Sequence, residues 1–126
     1  MVPSTGTFTV PVGLPDGTDL DALVDTGATL SKLPAKVLRR LGVRPDFSTT
    51  VELGGGRLIR RKVGCARLSL GRKRAPVPVM FGGAGEEALV GATTLEILGL
   101  TPDPVRRRLI ESRHLEMSER RAGKPR

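Results

Sequence analysis

Residues 22–30 read Ala22-Leu23-Val24-Asp25-Thr26-Gly27-Ala28-Thr29-Leu30. An apolar run stops at a carboxylate, and a hydroxyl and a glycine follow it. A carboxylate at the buried end of a strand must be hydrogen-bonded or change its protonation. Gly27 lets the backbone turn tightly, so nearby N–H groups can face the carboxylate. The Thr26 hydroxyl can both donate and accept. The plain alternative is a turn capped by an aspartate, and Asp-Thr-Gly alone does not exclude it. An acid that interrupts an apolar run, with a matched second half downstream, argues against it.

That second half is Ala88-Leu89-Val90-Gly91-Ala92-Thr93-Thr94-Leu95. Each copy leads to a helical pattern and a similar exit. The exits are Leu41-Gly42-Val43-Arg44-Pro45-Asp46 and Leu98-Gly99-Leu100-Thr101-Pro102-Asp103. One strand–loop–helix design is used twice. The second copy lacks the Asp-Thr pair, so whatever Asp25 does, one chain does once.

Around these halves the chain reads as short strands between glycine and proline breaks. Phe8, Val10 and Val12 alternate onto one side, and Leu14-Pro15-Asp16-Gly17 is a turn signal. The run from Asp19 to Val24 resumes the alternation. Val51-Glu52-Leu53 and Arg57-Leu58-Ile59 flank Gly54-Gly55-Gly56 as a glycine-tipped hairpin. Val63–Leu70 and Ala75–Phe81 read as two further strands joined at Gly71. Pro76 and Pro78 cannot donate ladder bonds, which makes the second an edge or bulged strand. Two short helices are expected, Pro34–Leu41 and Ala92–Leu98, stopped by Gly42 and Gly99.

The chain has 126 residues, 38% of them hydrophobic and 2% aromatic. That suits one domain with a small core. With no Trp or Tyr, the core is expected to be Val, Leu, Ile and Ala. The lone Cys65 excludes an internal disulfide, fits a reducing, cytoplasmic setting, and is expected to be a small buried hydrophobe. No run is long and apolar enough for a membrane span, and the N-terminus carries no signal-peptide pattern.

The net charge of +8 is uneven. From Pro104 onward, eight Lys or Arg stand against three Glu, which leaves +5 there and +3 on the body. A basic tail can bind nucleic acid, but no aromatic residue interleaves the charges to stack on bases. A solvated terminus is the simpler reading, and nucleic acid is not the expected partner. With one His (His114, in the tail) and one Cys, neither a zinc site nor a Ser–His pair has its residues. Gly54–Gly56 is no phosphate loop, since neither Gly-Lys-Ser/Thr nor a helix start follows.

Asp25-Thr26-Gly27-Ala28, preceded by Leu23-Val24, resembles the active-site motif of the retropepsins, the retroviral-type aspartic proteases. Leu89-Val90-Gly91 followed by Leu95-Glu96-Ile97-Leu98-Gly99 resembles their second hydrophobic–hydrophobic–Gly segment and terminal helix. The hairpin at Gly54–Gly56 sits between them, where that family has its flap. The resemblance spans roughly Thr7 to Leu109 and is nearest to bacterial single-domain members.

It implies an all-β fold: a small closed acid-protease-type barrel with a flap hairpin and one or two short helices, homodimeric. The domain would run over 1–110, with a basic, flexible tail over 111–126. The implied activity is that of an aspartic endopeptidase, with neither metal nor cofactor. Catalysis would rest on Asp25, Thr26 and Gly27, and an extended peptide or protein substrate on Ala28, Gly54, Gly55, Gly56 and Val90. The partner would be a second copy of the chain. Three departures from the family pattern stand out. The flap tip at Gly54–Gly56 has three glycines but few flanking hydrophobics. Leu30-Ser31-Lys32 is more charged than expected, with Lys32 read as pointing to solvent, and the basic stretch replaces a short terminal strand. Two other functions remain open from the residues: an inactive dimeric peptide-binding module of the same fold, and a nucleic-acid binder led by the tail.

Overall fold

The computed structural model describes residues 7–112. Strand β1 (Thr9–Gly13) turns through Leu14–Thr18 into β2 (Asp19–Val24), its antiparallel partner. The turn is held by Asp16, whose carboxylate accepts from the Thr18 N–H at 3.0 Å. β3 (Ser31–Pro34) leads into α1 (Ala35–Arg40), and β4 (Pro45–Glu52) and β5 (Leu58–Leu70) form the long hairpin. β6 (Lys73–Gly82), β7 (Leu89–Val90) and α2 (Ala92–Leu98) follow, and the strands β8 (Leu100–Asp103) and β9 (Arg108–Glu111) close the described chain.

The fold is mostly β with two short helices, as expected, but the barrel is not evenly laddered. Seven strands run in the order β1-β2-β7-β3-β6-β5-β4. The ring closes where β1 meets β5 at the single pair Gly13–Ser69, and β4 extends past it, laddered to β5. The two halves of the repeat lie side by side. β2 and β7 pair in parallel, Leu23 with Leu89 and Val24 with Val90. Beyond the missing Asp-Thr pair, the copies differ in how the helix begins: α2 starts directly after Gly91, whereas β3 intervenes before α1.

Alternation explains the core. Val12, Val24, Leu33, Leu68, Val77, Val79 and Val90 are turned inward and essentially inaccessible, and Leu38 of α1 packs on them. Two of the three phenylalanines, Phe8 and Phe81, join this core, and no isoleucine is buried among the described residues. The expected Val/Leu/Ile/Ala core is therefore Val/Leu/Ala/Phe. Phe81 lies at the inward phase of β6, and Ile97 at the outward phase of α2. Gly42 and Gly99 end the helices with positive φ, as their stop positions demand.

Three expectations change. First, Arg57–Ile59 and Val63–Leu70 are not separate strands. Arg60-Arg61-Lys62 continues the alternation between them, with Arg60 and Lys62 exposed and Arg61 half-buried. Second, Cys65 is exposed. The inward phase of β5 switches at Gly64, from Val63 before it to Ala66, Leu68 and Leu70 after it, and Cys65 falls on the outside. The backbone comes close there: a Cβ on Gly64 would lie 2.7 Å from the Arg44 carbonyl oxygen. Third, the start of the expected tail is structured. β8 and β9 form a separate two-stranded sheet, and the Ser112 N–H donates to the Gly99 carbonyl at 2.9 Å.

Pro76 and Pro78 pair with β5 in the half of β6 that β3 does not reach, so that half is an edge. No helix among the described residues is long and apolar enough to cross a membrane. His114 and residues 113–126, the bulk of the expected tail, lie outside the described residues.

Candidate active site

Asp25 follows the last residue of β2, at the point where the two halves meet. Its N–H donates to the Val90 carbonyl at 2.9 Å, continuing the β2–β7 ladder one residue further. Its carboxylate Oδ1 accepts from the Gly27 N–H at 3.0 Å, and its carbonyl accepts from the Ala28 N–H at 3.1 Å. The acid is thus fixed at both backbone and side chain, and it remains half-exposed. Thr26 and Gly27 are exposed at the turn beside it.

Below this turn the second half acts as a brace. The Ala92 and Thr93 N–H groups donate to the Ala28 and Thr29 carbonyls at 2.8 and 2.9 Å. Ser31 Oγ and Thr94 Oγ1 share a hydrogen bond at 2.6 Å, and Ser31 Oγ accepts from the Gly91 N–H at 3.0 Å. Both side chains are completely buried. Their polar atoms satisfy one another, which a buried hydroxyl requires. Ser31→Ala would leave the Gly91 N–H and the Thr94 hydroxyl unsatisfied. It is expected to cost about 1–3 kcal/mol, read as a shift of the urea unfolding midpoint. Sequence reading missed this pair. The one signal available was a Ser two residues before Leu33, on the same face of β3.

Above the turn lies a groove of about 640 Å³, roofed on one side by the β4 arm. Asp25, Gly27 and Ala28 line it, with Thr49–Leu53 on the arm and Met80 and Leu89 on the floor. Gly54–Gly56 stand past the lining at the exposed hairpin tip, where Leu53 N–H donates to the Arg57 carbonyl at 2.7 Å. Gly55 and Gly56 both have positive φ, which explains glycine at the tip. Leu89, rather than Val90, faces the groove. Neighbouring strand residues face opposite ways, and Val90 is fully buried in the core.

Lys32 also lines the groove instead of pointing to solvent, and so does Arg61. Glu86 binds both: Lys32 Nζ lies 3.4 Å from Oε1, and Arg61 pairs with Oε2. The Gly83 N–H donates to the same carboxylate at 2.9 Å. That backbone bond, then Arg61 and the Lys32 charge, hold the Glu86 carboxyl below the usual glutamate range, against the opposing effect of its burial. Glu86 carried no signal in the sequence, since its partners are remote along the chain.

The family model described as aspartyl protease matches residues 10–100, well over half of the chain. No curated protein matches in sequence. The simian foamy virus (mac) protease, known from a solution structure, superposes with a TM-score of 0.57 at 19% identity, over 76% of this chain and 100% of that one. The foamy viral protease-reverse transcriptase, solved with an RNA/DNA hybrid, gives a TM-score of 0.61 at 16% identity, over 79% of this chain and 12% of that one. At such identities the superpositions speak for the fold.

Proposed function

The chain belongs to the aspartyl protease family, with a retropepsin-like fold, and from that premise we propose that it is an endopeptidase active only as a homodimer. One observation carries the proposal: a single half-exposed Asp25, fixed by hydrogen bonds, on a groove that one protomer leaves with one acid at its catalytic turn. General acid/base hydrolysis of an amide needs one group to take a proton and another to give one. Two copies related by a twofold axis would supply both.

Two carboxylates brought close on such an axis cannot both ionise easily, so they hold one proton between them, as the paired aspartates of pepsin do. The ionised Asp25 takes a proton from a water molecule as its oxygen bonds to the peptide carbonyl carbon. The partner subunit's Asp25 gives its proton to the carbonyl oxygen. The tetrahedral species collapses as a proton passes to the amide nitrogen and the C–N bond breaks, releasing a carboxylic acid and an amine. The protein forms no covalent bond to substrate in this scheme. Thr26, exposed beside the acid, would bridge the two turns. An extended peptide would lie along the groove and pair by backbone bonds beneath the β4–β5 hairpin, whose glycine tip closes over it. The catalytic domain would run over 1–110, with Glu111 and Ser112 completing the β8–β9 hairpin ahead of an accessory basic segment.

The specific activity against an unstructured protein such as casein is expected to fall on dilution, as dimers dissociate. Strict proportionality between rate and protein concentration, down to the lowest measurable dilution, would count against the dimer.

A further inference from the structure

Lys32 occupies the middle of a cross-strand row on the groove floor. The register sets it against Leu89 of β7 on one side and Met80 of β6 on the other, and all three line the groove. Arg61 of β5 lines it too. The two side chains are only 19% and 15% exposed. The Lys32 stem is packed on the backbone, since a Cβ on Gly82 would lie 3.0 Å from Lys32 Cγ. The stem packing and the Glu86 ion pair together set the ammonium at the groove wall.

Glu86 is the carboxylate that both cations share. Two cations against one carboxylate leave a net positive wall, and the Gly83 N–H occupies part of that carboxylate's capacity. An ammonium and a guanidinium carry more N–H donors than one carboxylate can accept. Largely withdrawn from water, the remaining donors favour a second anionic acceptor. The groove's other carboxylates, Asp25 and Glu52, belong to the catalytic turn and the flap arm.

Resting on the peptidase reading, we propose that Lys32 and Arg61 make the groove selective for a substrate carrying Asp or Glu at the position above this row. A twofold dimer would present the row once on each side of the Asp25 pair. The acidic preference then falls at two positions that flank the scissile bond symmetrically. A lysine or arginine at either position meets like charge and is rejected.

The test uses synthetic peptides with Glu, Gln or Lys at each position in turn. Selection is read twice, as kcat/KM with the wild type and as Kd with Asp25→Asn. Glu is expected to exceed Gln by about tenfold at the flanking positions, the worth of one charge-assisted hydrogen bond. Lys32→Met, with its unfolding midpoint checked, should bring the Glu-to-Gln ratio near one. Glu86→Gln should raise that ratio by freeing both cations, and added salt should lower it in the wild type. Equal handling of Glu, Gln and Lys in both readouts, or a preference indifferent to Lys32→Met and to salt, would overturn the inference. Charge-selective binding without cleavage would retain it and end the peptidase reading; cleavage without charge selection would do the reverse.

Discussion

Asp25→Asn is expected to lower peptide cleavage by about 10⁴-fold and to leave the protein folded. The loss is large because Asn can neither take a proton from water nor give one to the carbonyl oxygen. Folding is spared because the backbone bonds at this position do not use the carboxylate: the N–H donates to Val90 and the carbonyl accepts from Ala28. The one side-chain bond, from the Gly27 N–H to Oδ1, is kept by the amide oxygen of Asn. The measurement is kcat/KM on an unstructured substrate beside a urea unfolding curve. An unchanged unfolding midpoint with turnover lost places the effect on chemistry. The inactive peptide-binding reading predicts no turnover in either protein, and a nucleic-acid binder predicts binding that falls steeply with salt and survives the substitution.

Gly91→Ala should damage both stability and activity, for a steric reason. The residue has an extended backbone that any amino acid adopts, with φ −96 and ψ 179. A Cβ there, however, would lie 2.7 Å from the Ala28 carbonyl oxygen and 2.7 Å from the Leu30 carbonyl carbon and oxygen. These are backbone atoms of the loop that carries Asp25, and they cannot rotate away. Relief requires the two halves to separate, which stretches the bonds from Ala92 to Ala28 and from Gly91 to Ser31. The expected cost is about 3 kcal/mol, at the upper end for an overpacked core site. Displacing the loop by about 1 Å should also lower kcat/KM by about 10²-fold, because the acid leaves its productive position. Gly54→Ala is the stability control, since nothing lies within 4 Å of a Cβ there. Equal unfolding midpoints for the two variants would refute the steric account.

Much of this was legible in the sequence because it depends on local pattern. The apolar run into Asp25, the helix stops at Gly42 and Gly99, and the glycine tip of the hairpin are signals read within a few residues. The internal repeat also told correctly that two halves would match, and the structure pairs them strand to strand. What escaped reading depends on where remote residues meet. Ser31 and Thr94 lie 63 positions apart, and Arg61 and Glu86 lie 25 apart. Neither pair has a periodic signature. Cys65 and Lys32 were misplaced for related reasons. A phase switch at Gly64 turns Cys65 outward, and a carboxylate brought in by the loop after β6 holds Lys32 at the groove. The β8–β9 hairpin was hidden by its arginines: Arg106, Arg107 and Arg108 read as a solvated tail, although they lie at its turn and the start of β9.

The most direct measurement mixes the two proteins. Wild type is held at fixed concentration while an equal amount of Asp25→Asn is added and allowed to exchange. If each working site takes one carboxyl from each of two subunits, random pairing leaves about half of the original competent pairs, and cleavage falls to about half. Cleavage unchanged by the added variant, with subunit exchange verified, would contradict a site shared between two chains.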